Sequence, residues 1–356
     1  MTTLDTDPTA ADADVVAERV FGIVNHGAIC VLTSIGHELG LFETLASLPP
    51  ATSDQIADAA GLDERYVREW LGGVVTARFV EYQPEDRSYR LAADHAPFLA
   101  GAGPDNLARL TRLVTLMGEV TPKVVERFRA GGGLSYDDYP HFHELMAAES
   151  AAVNDAALID TILPLTGVTD RLGSGIAVAD IGCGEGHAIN LLAREFPRSS
   201  FVGYDFSEDA LVAARAEAAA WGLTNARFET RDVATLPAGA EFDLVTAFDA
   251  IHDQAHPATV LRNIHRSLRP GGTFLMVDIQ ADSRLEGNLD LPWASFLYAI
   301  STLHCMSVSL GQGGDGLGTV WGVQIAERMI REAGFTDVVL HALEEDPFNA
   351  YFVARA

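Results

Sequence analysis

Apolar residues at helical spacing open the chain. Val16, Val20, Ile23, Val24 and Val31 predict one long helix over Val15 to Leu39. Thr52-Ser53-Asp54-Gln55 offers a side-chain cap with a glutamine three residues on, so a helix should start there and stop at Gly61. A further helix is expected from Asp63 to about Ala77. Phe79 to Gln83 and Ser88 to Leu91 read as two strands around the turn Pro84 to Arg87. Helix, turn, helix and hairpin together make a winged helix. Gly101-Ala102-Gly103-Pro104 marks a break. Leu107 to Ala130 is helical in pattern with an interruption expected at Pro122, and Gly131-Gly132-Gly133 reads as a flexible joint.

Further on, short apolar runs predict buried strands at Ile176 to Ala179, Phe201 to Asp205 and Ala226 to Thr230, and Leu268 to Val277 reads as a helix-end turn entering a strand. Helical stretches lie between them, among them Ala188 to Phe196 and the alanine-rich Ala213 to Ala220. Pro270 cannot extend a helix and Gly271-Gly272 can take positive φ, so a turn should precede the strand there. Val338 to Leu343 and Ala350 to Ala354 read as a closing pair of strands joined by Glu344 to Asn349.

The richest stretch is Asp180-Ile181-Gly182-Cys183-Gly184-Glu185-Gly186, a glycine turn between a predicted strand and a predicted helix. Such a turn brings bare backbone at a helix N-terminus up to a ligand. Asp205, 19 residues after Gly186 and at the next strand end, can accept hydrogen bonds from both hydroxyls of a ribose. A nucleoside-containing cofactor follows. The dinucleotide fingerprint needs its third glycine where His187 stands, and here that glycine comes one residue early, at Gly186. A glycine turn serving chain reversal alone is the alternative.

These residues resemble the first motif of class I S-adenosylmethionine-dependent methyltransferases, D-x-G-x-G-x-G. The resemblance runs roughly from Asp170 to Ala356. It implies that Asp180, Gly182, Cys183, Gly184 and Gly186 face the cofactor, with Asp180 suited to its ammonium and sulfonium charges and Asp205 with Phe206 at the ribose. It further implies that Asp232 and the amide of Val233 meet the adenine and that Phe248, at the end of the fourth strand, borders the site. The fold implied is α/β: a doubly wound, seven-stranded Rossmann-like methyltransferase sheet with an antiparallel C-terminal hairpin, beside an α-helical winged-helix N-terminal domain. The expected domains are a disordered tail over 1–14, a winged helix over 15–100, a helical linker over 101–169 and the cofactor-binding domain over 170–356.

Charge narrows the partners. Lys+Arg is 24 against 50 Asp+Glu, a formal net charge of -26. Such an excess repels nucleic-acid phosphates and anionic membranes. The winged helix shares the acidity, so it resembles the dimerisation domain of small-molecule O-methyltransferases more than a DNA reader, and a homodimer is expected. A transcription regulator that uses the cofactor fold as a sensor is the second reading. A cofactor-binding enzyme with other chemistry is a third. No unbroken apolar run reaches the roughly eighteen residues of a membrane span. Cys30, Cys183 and Cys305 lack paired spacing, which fits a reducing cytoplasm and gives no metal site.

Methyl transfer asks little of the protein beyond holding the reactants in line. A hydroxyl acceptor also needs a base, and O-methylation is the favoured reaction. His252, in Phe248-Asp249-Ala250-Ile251-His252-Asp253, resembles the catalytic histidine position of plant-type O-methyltransferases, although Gln254 stands where those have tryptophan. It has three readings: general base, cap of a helix starting near Pro257, or passive lining. His304 is the second base candidate, whereas His256 and His265 read as surface residues. Tyr136, Tyr139, His141, Phe142 and His143 either roof a small-molecule acceptor site or pack the linker against the domain. Asn154 to Leu165 reads as a helix closing over the cofactor. Gln280 to Thr319 should cover the acceptor: its aromatic half points to an apolar or aromatic acceptor, its glycine half to a mobile lid.

Overall fold

The computed structural model describes residues 13–236 and 239–356. Of the disorder expected over 1–14, the part on residues 1–12 lies outside the described ones, and the part on 13 and 14 is corrected, since both already belong to the first helix. Two compact units divide the chain, one reaching to Thr115 and the other spanning Leu116–Ala356.

The first unit begins with α1 (Ala13–Glu38), α2 (Leu41–Ser47), α3 (Ser53–Ala60) and α4 (Glu64–Thr76). The expected capping box is present on α3: Thr52 Oγ1 accepts from the Gln55 amide and Gln55 Oε1 from the Thr52 amide at 2.9 Å. Asp63 caps α4 by accepting from the amide of Arg65 at 3.0 Å. Phe42, Ile56, Leu71 and Val74 form the core, and the Trp70 indole N–H ties α4 to the Leu32 carbonyl of α1 at 2.7 Å. β1 (Glu81–Gln83) and β2 (Ser88–Arg90) pair antiparallel as the wing, followed by α5 (Ala96–Leu99). The apolar stripe that predicted α1 is not spent on this core: Val20, Phe21, Ile23 and Val24 are exposed.

α6 (Thr111–Ala130) runs straight through Pro122, so the expected interruption is corrected. Val120 and Val124 anchor one face in a buried cluster. Pro122 and Gly118 lie on the exposed face, where water can satisfy the carbonyl that the proline leaves unbonded.

In the second unit come α7 (Phe142–Ala157), α8 (Thr169–Ser174), β3 (Ala177–Ile181), α9 (His187–Glu195), β4 (Ser200–Asp205), α10 (Glu208–Ala220) and β5 (Ala226–Thr230). They are followed by β6 (Phe242–Phe248), α11 (Pro257–Ser267), β7 (Leu268–Ile279), α12 (Ala294–Ile300), α13 (Met306–Gly311), α14 (Val323–Glu332), β8 (Thr336–Leu343) and β9 (Asp346–Arg355). The seven strands order β5-β4-β3-β6-β7-β9-β8, with β9 antiparallel to both neighbours. Alternate residues bury on opposite faces: Leu244 joins the layer of Val178, Leu192 and Leu275, while Val245 joins that of Ile264, Met276 and Phe352. Strand order reverses between β3 and β6, and doubly wound sheets open a ligand crevice there, beyond the strands' carboxyl ends.

Four expectations shift. The turn at Pro270-Gly271-Gly272 is drawn into β7 as an irregularity in the β6–β7 register, with the Gly271 amide bonded to Ala356 O at 3.1 Å. The closing hairpin turns on Glu344 and Glu345 alone, because β9 pairs back to Asp346. His256 is exposed as expected, but His265 is half-buried with its ring 5.0 Å from that of Phe335. Two helical stretches among the described residues also meet the length and mean hydropathy of a membrane span, Val15–Glu38 at 1.5 and Ala294–Gly311 at 1.2. Counting unbroken apolar runs missed them, since Glu18 and Arg19 interrupt one and Ser301 and His304 the other.

Candidate active site

Beyond the carboxyl ends of β3, β4 and β6 lies a cavity of about 330 Å³. Its floor is the turn from Asp180 to Gly186. Gly182, Gly184 and Gly186 all hold left-handed φ, at 66°, 53° and 71°. A Cβ on Gly182 would meet Ala250 at 2.6 Å and one on Gly186 the Phe228 ring at 2.6 Å, whereas one on Gly184, which lines the cavity, would stand in open space. The first and last glycines therefore permit close packing, and the middle one leaves room for a ligand.

Asp205 ends β4 as expected and is locked from two sides. Its Oδ2 accepts from the Gly184 amide at 2.9 Å and its Oδ1 from the Ser207 amide at 2.8 Å. Each oxygen keeps a lone pair for a ligand hydroxyl. Asp180 is buried at the end of β3, with one oxygen accepting from the Thr246 hydroxyl at 2.7 Å. Burial pushes its carboxyl up to about 7, against the pull of that bond. Asp232 holds the Ala234 amide at 2.8 Å and lines the cavity beside Val233. Cys183, Phe206 and Phe248 also line it, so all ten expected cofactor-site residues border one cavity. Burial raises the Cys183 thiol well above its usual range, which leaves it protonated and inert.

α7 and the segment before it supply the opposite wall, with Tyr136, Phe142, His143, Met146 and Asn154. The Tyr136 hydroxyl donates to Asp253 Oδ2 at 2.6 Å, and its ring stacks on His143 at 5.8 Å. The aromatic cluster thus both roofs the cavity and packs: Tyr136, Phe142 and His143 line it, while Tyr139 donates to the Leu303 carbonyl at 2.6 Å. The helix expected over Asn154 to Leu165 is the end of α7 plus a π turn over Leu158–Ile162, and only Asn154 of it reaches the cavity.

His252 and His304 stand outside the cavity lining. His252 Nδ1 lies 2.9 Å from Asp278 Oδ1, which also accepts from the Trp321 indole at 3.0 Å. The helix-cap reading fails, since α11 is preceded by His256 and His252 is bonded elsewhere. Burial disfavours charge on His252, yet the Asp278 carboxylate and Cys305 together hold the imidazole well above its ordinary pKa. His304 is stacked on Phe142 at 3.7 Å, and burial pushes it down to about 3, so it is neutral. The glycine run at the end of the insertion is tied down rather than loose: Asp315 N bonds Ala255 O at 2.8 Å and Gly318 N bonds His252 O at 3.2 Å. Sequence reasoning gave no role to Asp249, Asp253 or Asp278. For Asp249 and Asp278 the available signal was an acid at a strand's carboxyl end, whereas Asp253 lies in the loop after β6.

Residues 172–334 match the family model described as a methyltransferase domain, and residues 27–101 that of an Rv2258c-like winged HTH domain. The chain joins a winged helix to a methyltransferase domain. Over 143 residues it is 32% identical to the trans-aconitate 2-methyltransferase of Variovorax paradoxus (strain S110), a match covering 38% of this chain and 52% of that relative. The chain thus spans about half the length of that curated relative. A protein of Nostoc punctiforme PCC 73102 provisionally assigned as an O-methyltransferase shares the fold at TM-score 0.73 and 20% identity, over 95% of this chain and 98% of that one. Human N-acetylserotonin methyltransferase, solved with S-adenosylmethionine, matches at TM-score 0.64 and 18% identity, over 98% and 99%. The methyltransferase domain contains the whole cavity except the wall contributed by α7 and the segment before it.

Proposed function

We propose that the chain transfers a methyl group from S-adenosyl-L-methionine to a small-molecule acceptor, with a hydroxyl oxygen the favoured acceptor atom. The carrying observation is the meeting of the left-handed glycine turn with Asp180, Asp205 and Asp232 in one cavity. Asp205 would hold the ribose hydroxyls, the Val233 amide and Asp232 the adenine, and Asp180 with the bare turn the methionine end. The cofactor supplies a methyl group activated by a sulfonium. An acidic cavity wall complements that charge, and the space beside Gly184 suits close approach of a ligand.

The protein's own part in the reaction is proton removal. If His252 Nδ1–H donates to Asp278, its Nε2 is the atom that would take the acceptor's hydroxyl proton. His304 is the second candidate. A group held neutral down to about pH 3 takes a hydroxyl proton weakly, which favours His252.

Homodimerisation through the first unit is part of the same proposal. The exposed apolar residues of α1 offer a face for a second copy. Against the DNA-reading alternative stand Arg65 and Arg68 of α4, which are paired with Glu69 at 2.5 Å and Glu64 at 3.5 Å. The three cysteines are free, in keeping with a cytoplasmic protein.

Calorimetric titration with S-adenosylhomocysteine tests the cofactor reading. Binding should weaken about tenfold or more in Asp205→Ala, the loss of charge-assisted hydrogen bonds. Absence of binding by the unaltered protein, or unchanged affinity in the variant, would remove the cofactor role or the Asp205 role respectively.

A further inference from the structure

Asp249 is the first residue past β6. Its amide extends the ladder by donating to the Val277 carbonyl of β7 at 2.9 Å, and its φ is 49°. A left-handed aspartate is uncommon, and here the ladder bond holds it at a position that lines the cavity. Its Oδ1 is buried and has no hydrogen-bond partner. Buried carboxylate oxygens are almost always satisfied, and an orphan beside a cavity points to an absent ligand.

Among the described residues no side chain hydrogen-bonds that Oδ1. Asp278 from β7, Asp346 from β9 and Asp253 from its own loop face it with the same sign. Among the described residues the one group of opposite sign acting on it, His252, is bonded to Asp278. Burial and the Asp278 charge push the Asp249 carboxyl up to about 7, so an incoming donor or cation can settle its proton. Cations are scarce around the rest of the lining. Of its residues only Arg231 is an arginine or lysine, and Arg231 is 3.3 Å from Glu229. Asp253, held by Tyr136, adds a second acid beside the aromatic wall of Tyr136, Phe142 and His143.

We propose that Asp249 recognises the methyl acceptor, and that this acceptor is a neutral or cationic aromatic molecule carrying hydroxyl or amine donors, not a polycarboxylate. The inference rests on the methyltransferase reading. It separates this chain from the trans-aconitate methyltransferase that its sequence resembles, because a tricarboxylate would enter a cavity walled by acids with no free arginine to meet it. The flat aromatic wall suits a ring, and the unpartnered Oδ1 suits a donor on it.

The test uses the full chain saturated with S-adenosylhomocysteine and four probes: dopamine, 4-methylcatechol, 3,4-dihydroxybenzoate and trans-aconitate. The first three share one ring and differ in charge. Calorimetry should find dopamine and 4-methylcatechol bound about tenfold or more tightly than 3,4-dihydroxybenzoate, and no binding of trans-aconitate. In Asp249→Asn that preference should fall to about twofold or less, with S-adenosylhomocysteine affinity unchanged as the check on folding. The general acidity of the chain is common to both proteins, so only the change on substitution counts.

Several results overturn the proposal. They are tight binding of either carboxylate probe, no binding of any probe, or a preference that survives in the variant. Selective loss of S-adenosylmethionine over S-adenosylhomocysteine binding in Asp249→Asn would also overturn it, by assigning the carboxylate to the sulfonium. Failure of the unaltered protein to bind S-adenosylhomocysteine is a different outcome, which removes the parent reading as well.

Discussion

His252 carries a charge problem that the site must solve. A base has to be neutral to accept a proton, yet against burial the Asp278 carboxylate and Cys305 together favour the imidazolium. In the base reading, turnover on a hydroxyl acceptor therefore rises with pH above neutrality as the imidazolium loses its proton. A pH–rate profile should show that rising limb, and His252→Ala should lose it with S-adenosylhomocysteine affinity near normal. The linkage has the same sign. A histidine whose folded pKa is raised contributes stability that is full below about 6.5 and is lost as pH climbs through the folded value. Asp205 was legible in the sequence because it ends a strand at a fixed distance from a glycine turn. Asp249 and Asp278 were not, since the significance of each lies in what the other strands place next to it.

At the scale of elements, caps and turns were the most legible features. Thr52 and Gln55 stand three residues apart before an apolar run, and the reciprocal bonds form between them. Thr52→Ala should cost the first unit about 1 kcal/mol. Hydrogen exchange by mass spectrometry over 53–60 should then quicken roughly fivefold. An unchanged exchange rate would mean that packing of Ile56 and Ala57, not the cap, holds α3. Local rules failed where tertiary context overrode them. Pro122 predicted a break, but its exposed face tolerates a missing bond while Val120 and Val124 hold the other face in a core. The glycines of the insertion suggested a lid. Those at 311 and 314 instead sit where backbone meets backbone, against Leu134 and Ala255, and a Cβ would not fit.

At the scale of the whole molecule, the exposed apolar face of α1 and the net charge of -26 pull in opposite directions. The face favours association, and the charge opposes it at low salt. A homodimer should therefore strengthen with ionic strength. Light scattering on the full chain should give twice 38.1 kDa at moderate salt and a monomer for Val20→Asp combined with Val24→Asp. A monomeric unaltered protein at every salt concentration would end the dimer proposal.

The sequence by itself determined the strand-turn-helix order, the glycine turn and Asp205, because each depends on neighbours within a few residues or on one fixed spacing. It also determined the net charge of -26. Only the tertiary structure decided what His252 is bonded to, which aromatics reach the cavity, and that Asp249 is left without a partner. Those facts depend on distances between β6, β7, β9 and α7, and residues far apart along the chain carry no local mark of becoming neighbours.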